Sequence, residues 1–584
     1  MKVKIMGNEK IAPALRIVMA RYHEMGPQGL TRHMKTMGIV AKKDSPKPPR
    51  INVFLECKAT GKFDQLGTEG IKVNGKKGEI RTAFLPVESL ETLAEHRDVR
   101  RIFPSRYMKY SLDTAREAVN LPAFLKKKDL SGKGVIVGTV DSGVDPKHEA
   151  FRGRILRIWD QELSGTGVPE ADFGAELTGN DIIMSRDTVG HGTHVMGIAA
   201  GNDATYGGIA PEADLIVVKT DMKDTSIANG VQYIFRIADE MKCPAVVNIS
   251  LGSHYDSHDG TDPLCRIIDQ ETGPGRIVCV AAGNEGDDNI HAHAKIKAKK
   301  TKTVRFFIPA GDPGAFVLLN GWYAGSDKFR VGVSSPQGMK CPDLGLQDSG
   351  EEPKTYDLED CRVTLANAGP DPGNNDNNFI VYIESADGGR PIPSGIWRLS
   401  LKGDQVKNGA VDIWTNTTMP DEIGFTGTSV KDAMKIGSPG AAGSAVTVAS
   451  YTTKNEWTNI DNEQYTYDAM ALDDISSFSS EGPLRNGTKK PDVAAPGAWL
   501  VSALSADSEV TRPYYIRPGF RLMCGTSMAS PFVAGLAALL LQRDPSAGPA
   551  DIKKLLKANS HIPGKKAGTH STKWGYGFID TEKL

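Results

Sequence analysis

The segment GTSMASPFVAGLAALLL, Gly525 to Leu541, sets Thr526, Ser527 and Ser530 directly before a long apolar run. A hydroxyl there has two readings. Ser and Thr are favoured helix N-caps because a short side-chain oxygen accepts from an orphan backbone N–H, and Pro531 is tolerated in a first turn. The second reading is nucleophilic: a serine attacks only after passing its proton to a neighbouring base, usually a histidine whose tautomer a carboxylate fixes. That chemistry needs an Asp and a His at strand ends or helix starts, and two residues stand out. Asp141 in VIVGTVDSGVD follows a wholly apolar strand, where ionisation is expensive unless hydrogen bonds accompany it. His191 in DTVGHGTHVMGIAAG opens a small-residue helix between Gly190 and Gly192, which let the backbone pack closely beside a site. His194 faces nearly the same side and reads as a structural histidine, since no acidic helix motif or third ligand turns the HxxH pair into a metal site.

These residues need a frame. GKGVIVGTVDSG, ADLIVVK, VVNISLGS and RIVCVAAGNEG read as continuous apolar strands, and IANGVQYIFRIADEM as a helix between them. Strands of this kind alternating with helices predict a parallel sheet covered on both faces, with ligand sites at the carboxyl ends of its strands. Between about Ile290 and Gly424 the helix signals stop and short strands such as TVRFFIP, NFIVYIES and GIWRLSLKG take over. That pattern predicts an inserted all-β sandwich of jelly-roll type. The α/β pattern resumes with SAVTVAS and KKPDVAAPG, so the α/β domain is discontinuous. Towards the N-terminus, RINVFLECKATG, IKV and GEIRTAFL around an Asn74-Gly75 turn, the helix VESLETLAEH and the strand VRRIF predict a small mixed α/β unit. A helix around Ala14 to Met25 and the polar KKDSPKPPR precede it as an extension and linker.

Composition bounds the function. The 584 residues carry 70 basic and 71 acidic side chains, a balance that argues against nucleic-acid or membrane-surface partners. Five lysines in AKIKAKKTK, Ala294 to Lys302, read as a solvated strand edge. The apolar IAPALRIVMA is broken by Arg16, so no secretory signal is expected, and no run approaches the ~20 apolar residues a bilayer span requires. Seven scattered cysteines without CxxC spacing suit free thiols in a reducing compartment, and a cytoplasmic location is expected.

The segments VDSGVD, GHGTHVMGIAAG, VVNISLGS, VAAGNEG, SSFSSEGP, PDVAAPG and GTSMASPFVAGLAALL, in that order, resemble the subtilisin-type serine peptidases, whose Asp, His, Ser order they share. The resemblance covers 112–288 and 425–584. It implies a subtilisin-like doubly wound parallel sheet with helices on both faces and a serine endopeptidase acting through an acyl-enzyme. In that reading Asp141 orients the imidazole, His191 is general base and then acid, and Ser527 is the nucleophile. Asn284 in AAGNEG matches the oxyanion-hole asparagine, with the Ser527 backbone N–H as second donor. Ser250, Leu251 and Gly252, with Ala281, Ala282 and Gly283, match the two segments that line the substrate cleft. Gly437 in KIGSPG matches a pocket-floor position. Ser530 is then a helix residue and Thr526 a backbone-positioning one. No cofactor or metal is implied by these motifs.

Residues 50–111 resemble the family's inhibitor-like propeptide, a ferredoxin-like α+β unit, after an extension spanning 1–49. This implies a zymogen whose prodomain is an intramolecular inhibitor, cut by the enzyme itself between about Arg106 and Asp113. The 289–424 module resembles the jelly-roll insertion of the clostridial Csp germination proteases; a germination role would rest on fold analogy alone. The expected partner is a protein or peptide substrate, acted on by a monomer. Two alternatives stay open: a catalytically silent scaffold with the prodomain clamped in the cleft, and a carbohydrate-binding module using Trp322, Trp397 and Trp414. Core packing accounts better for tryptophans on separate strands. Cys524, three residues before Ser527, reads as a small buried hydrophobe.

Overall fold

The computed structural model describes residues 8–26, 30, 39–40, 48–75, 78–104, 130–311, 314–348, 350–358, 360–386, 390–417 and 423–584. The expected self-cleavage segment, 106–113, lies outside the described residues.

A ten-stranded sheet organises the chain, and its eight inner strands run parallel. In spatial order these are Phe578–Ile579, Val493–Ala498, Val446–Thr452, Arg276–Ala281, Ala245–Ile249, Ile136–Asp141, Asp214–Lys219 and Ile155–Asp160. Two strands absent from the sequence reading, Ser560–His561 and Ala175–Thr178, close the edges antiparallel. The apolar runs are explained by burial on both faces. Along Ile136–Asp141, Ile136 and Val140 point into one core and Val137 into the other. One core is filled by the helices His191–Ala200, Thr526–Arg543 and Pro549–Ala558, the other by Asp224–Met241 and Pro263–Glu271. Thr526–Arg543 is apolar all round and buried along nearly its whole length, as expected for a helix wrapped by the domain rather than lying on it. The order of strands reverses at Ile136–Asp141, first in the chain yet central in the sheet, and such a switch point is where open α/β sheets bind ligands.

Residues between the two halves of this sheet form two antiparallel sheets, six-stranded and four-stranded, around a single apolar core. Strict alternation along Thr301–Ile308 sends Val304, Phe306 and Ile308 into that core and leaves Thr303, Arg305 and Phe307 outside. The lysine-rich Ala294 to Lys302 segment is a largely exposed connection between two of these strands. The tryptophans divide. Trp397 lies in the sandwich core, whereas Trp322 and Trp414 pack outside it with Ile290 and Met434, against the α/β unit.

The N-terminal residues form a five-stranded antiparallel sheet centred on Arg50–Cys57 and Ile80–Pro86. The sequence reading set the helix Pro13–Met25 apart as an extension. Its Leu15, Val18 and Met19 instead share the sheet's core with Ile51, Val53 and Leu85. Arg21, buried on the same helix, pairs with Glu384 of the sandwich at 2.6 Å. Phe54 and Ile80 join the core around Val140 and Val231, and Thr82 donates to Asn229 at 2.9 Å, which seats the sheet on the helix Asp224–Met241.

Candidate active site

Asp141 is the last residue of the switch-point strand and His191 the first of its helix, and both are fully buried. His191 Nδ1 lies 2.7 Å from Asp141 Oδ1, which also accepts from Ser142 N at 2.7 Å. A carboxylate in that position accepts the Nδ1 proton and leaves Nε2 with the lone pair. The approach depends on Gly192, because a Cβ there would sit 2.1 Å from Gly143 O and 3.1 Å from Asp141.

A residue the sequence reading passed over holds these two segments together. Asp187 is wholly buried and accepts four hydrogen bonds, from Ser142 Oγ at 2.8 Å, Gly190 N at 2.8 Å, Thr193 N at 2.9 Å and Thr193 Oγ1 at 2.7 Å. Ser142 Oγ accepts in turn from Gly192 N at 2.9 Å. The turn after Asp141 and the first turn of the His191 helix are therefore tied to one carboxylate.

Ser527 is the second residue of its helix, after Gly525 at φ 143, a conformation open to glycine. Its hydroxyl donates to Ser250 O at 2.9 Å, and Ser527 O accepts from Ser250 Oγ at 2.7 Å. Ser530, assigned from sequence to helix structure only, has a definite bond: its hydroxyl donates to Asn248 Oδ1 at 2.7 Å, and Asn248 Nδ2 donates to Ser250 Oγ at 2.9 Å. The helix start is thus moored to the end of the strand Ala245–Ile249. No side chain caps the helix. The cap reading of these hydroxyls is replaced by tertiary bonds.

Asn284 Oδ1 accepts from Thr526 N at 2.9 Å and Thr526 Oγ1 at 3.0 Å. With its oxygen engaged by Thr526, Asn284 lines the cleft beside Ser527. Thr526 thereby positions backbone and amide together. All six expected cleft residues, Ser250, Leu251, Gly252, Ala281, Ala282 and Gly283, line this cavity of about 220 Å³, as does Gly437. Further lining residues not singled out from sequence include the titratable His254, Glu285 and Asp288. The helices that begin at His191 and Thr526, from the two halves of the chain, pack against each other.

His194 is fully buried, with Nε2 3.3 Å from Arg521 O, and burial pushes its pKa well down, as for a structural histidine. Among the described residues no group of three or more His, Cys, Asp or Glu side chains could hold a metal ion, and no helix is long and apolar enough to cross a membrane.

The subtilase family model matches residues 132–310 and 413–578. The serine protease AprX of Bacillus subtilis is 24% identical over 514 residues, covering 85% of this chain and 76% of that protein. The PIII-type proteinase of Lactococcus lactis subsp. cremoris is 25% identical over 517 residues, covering 81% of this chain but a quarter of its own length, 25%. Among solved structures, the Clostridium perfringens CspB protease superposes with a TM-score of 0.65 at 26% identity, over 79% of this chain and 96% of that one.

Proposed function

The chain belongs to the subtilase family and is a subtilisin-like serine protease; from that premise we propose a serine endopeptidase with Ser527 as nucleophile, made as a zymogen. The buried 2.7 Å contact between His191 and Asp141 carries the assignment of roles. Asp141 accepts from Nδ1 and later stabilises the imidazolium, and His191 Nε2 receives the Ser527 proton and returns it to the leaving amine. In the resting chain that proton points to Ser250 O, so attack requires the hydroxyl to turn from the carbonyl to the imidazole. The developing oxyanion is met by the Asn284 amide and the Ser527 N–H at a helix N-terminus, donors already held by bonds to Thr526 and Ser250. An extended peptide would pair with the 250–252 and 281–283 segments.

The N-terminal sheet, seated on the helix Asp224–Met241, supports its reading as an inhibitor-like prodomain. Its last strand, Val99–Pro104, leads directly into the segment expected to be cut between about Arg106 and Asp113. The seven free cysteines support a reducing compartment, the cytoplasm, and we take the protein to act as a monomer on protein or peptide substrates. A fluorophosphonate probe is expected to label the protein and not its Ser527→Ala variant. Equal labelling of both would overturn the assignment. N-terminal sequencing of the two forms tests the zymogen: both starting at Met1 would remove it.

A further inference from the structure

The inserted sandwich turns its two outer faces to different surroundings. On the six-stranded sheet, Phe316, Ile380 and Tyr382 pack with Ile17 of the helix Pro13–Met25, while Trp322 and Trp414 meet the α/β unit. That face is covered. The four-stranded sheet runs in the order Lys328–Ser334, Gly395–Gln405, Thr301–Ile308 and Gly424–Thr426, and its outward side chains Thr303, Arg305, Phe307, Arg398 and Lys402 are exposed.

The register of this sheet sets cations against cations. Arg305 stands directly opposite Arg398, Thr303 opposite Ser400 and Thr301 opposite Lys402, and Lys402 is in turn opposite Arg330. Like charges directly opposite weaken a sheet. Among the described residues the one ion pair in these rows joins Arg330 to Asp404 at 3.7 Å, and the other acid on the face is Asp343, against Gly332. Lysine on an edge strand guards against edge-to-edge pairing, which accounts for Lys328. It does not account for Arg305 and Arg398, which lie on the two inner strands. The lysine-rich connection extends the same charge beyond Lys402: Lys299 N donates to Gly403 O at 2.7 Å and Gly403 N to Lys300 O at 3.0 Å, and Lys297, Lys299 and Lys300 are exposed. The chain's balance of 70 basic and 71 acidic residues is therefore an average over a segregated surface.

The opposite end of the face is apolar. Phe307, paired with Ile396, is 40% exposed, and Met339 is 38% exposed. Met339 belongs to the turn in which Ser335 N donates to Met339 O at 2.9 Å, and Pro336 of that turn lies against Gly395, next to Ile396. Two large apolar side chains thus stand in water at the end of a cationic sheet. A nucleic acid or another polyanion would answer the cations and leave Phe307 and Met339 unmatched. An anionic bilayer answers both, with phosphates for the guanidinium and ammonium groups and an interfacial zone for the apolar side chains.

We propose that the outer face of the four-stranded sheet docks on a bilayer containing anionic phospholipid. Arg305, Arg398, Lys402 and the lysine-rich connection meet the headgroups, and Phe307 and Met339 enter the interface. The six-stranded sheet, with the α/β unit and the helix Pro13–Met25 packed on it, is then held on the side away from the lipid.

The test uses the full chain as its Ser527→Ala variant, so that no self-digestion intervenes. It is sedimented with vesicles of phosphatidylcholine alone or with about 30% phosphatidylserine, at about 100 mM and about 500 mM salt. Binding is expected on the phosphatidylserine vesicles only, at least about tenfold weaker at the higher salt. Arg305→Glu combined with Arg398→Glu should weaken it at least about tenfold, and Arg398→Gln alone, the substitute if that variant does not fold, about threefold. Phe307→Ser should weaken it about threefold at both salts. Lys565→Glu with Lys566→Glu makes the same charge change on an exposed loop of the α/β unit and should alter binding less than about twofold. In a separate readout, a Phe307→Trp variant should gain fluorescence quenching by brominated acyl chains over its parent. No sedimentation with phosphatidylserine vesicles, equal sedimentation with phosphatidylcholine, unchanged binding in the Arg305 and Arg398 variants, or an equal loss in the Lys565 and Lys566 variant would each overturn the proposal. Retention on polyphosphate or duplex DNA without binding to vesicles would overturn it too, assigning the face to a polyanion.

Discussion

Replacing Asp187 by Asn tests whether one buried carboxylate holds the catalytic segments in place. One oxygen accepts from Ser142 Oγ and Gly190 N, the other from Thr193 N and Thr193 Oγ1. An amide keeps one pair and turns its NH2 towards the other, so two bonds to a carboxylate are lost and a buried donor is left facing donors. Hydrogen bonds to charged groups contribute about 1.5–3 kcal/mol each, so the expected loss is about 3–5 kcal/mol. The measurement is urea unfolding in a Ser527→Ala background, which removes self-digestion; with a slope near 3 kcal/mol/M the midpoint should fall by about 1–1.7 M. In the active protein, relaxation of the Ser142 turn away from the His191 helix lengthens the Asp141–His191 contact. A displacement of about 1 Å is expected to lower kcat about 10²-fold with little change in KM. An unchanged midpoint together with an unchanged kcat would refute the reasoning, because then the four bonds position nothing.

Further outcomes follow from the same geometry. Asn284→Ala should lower kcat by about 10²–10³ while leaving KM nearly constant, since the amide meets charge only in the transition state; a KM effect alone would place it in ground-state binding. Gly192→Ala drives a methyl to within 2.1 Å of Gly143 O, and activity should collapse although the fluorescence and circular dichroism of the folded chain persist. Glu481, 1% exposed, has its carboxyl pushed up to about 8 by burial and by the neighbouring negative charge of Asp432. Because that value is raised above the unfolded one, near 4.3, the group's contribution is complete at low pH and is lost as pH climbs through about 8. Unfolding free energy of the Ser527→Ala protein should therefore decline from about pH 4.3 to about pH 8 and level off above that, and Glu481→Gln should flatten the decline. An unaltered slope would assign the pH dependence to another group.

The sequence exposes residues whose surroundings are local. Asp141 is legible because a charge ends an apolar strand, His191 because glycines flank it at a helix start, and the strands because burial on both faces leaves continuous Val and Ile. What escapes is whatever depends on distant chain. Asp187 looks like any loop aspartate until Ser142, Gly190 and Thr193 converge on it. His254 and His258 lie outside helices and strands, so no periodicity marks them, and their partners Glu285 and Trp414 come from other parts of the chain. Trp414 carries the alternation of a sandwich strand, and alternation alone does not say that its side meets the α/β unit rather than solvent. The edge strand Ser560–His561 has only two residues, too few to leave a pattern.

The split of the central sheet has a kinetic consequence. Arg276–Ala281 and Val446–Thr452 lie side by side although the whole sandwich separates them in the chain. The two ends of that sandwich meet, with Phe425 N donating to Asn289 O at 2.8 Å and Ala292 bridging Val430. A sandwich that folds first therefore shortens the loop that must close before these strands can pair. A fivefold shorter effective loop lowers the closure cost by about 1.5 kcal/mol. Synthesis runs in the same direction: His191 leaves the ribosome long before Ser527, and between them comes a module with an apolar core of its own. With Ser527 as the proposed nucleophile, a nascent chain built this way can assemble most of its scaffold before the attacking hydroxyl exists, and it becomes dangerous to its neighbours only when the last sheet strands and the Thr526–Arg543 helix arrive.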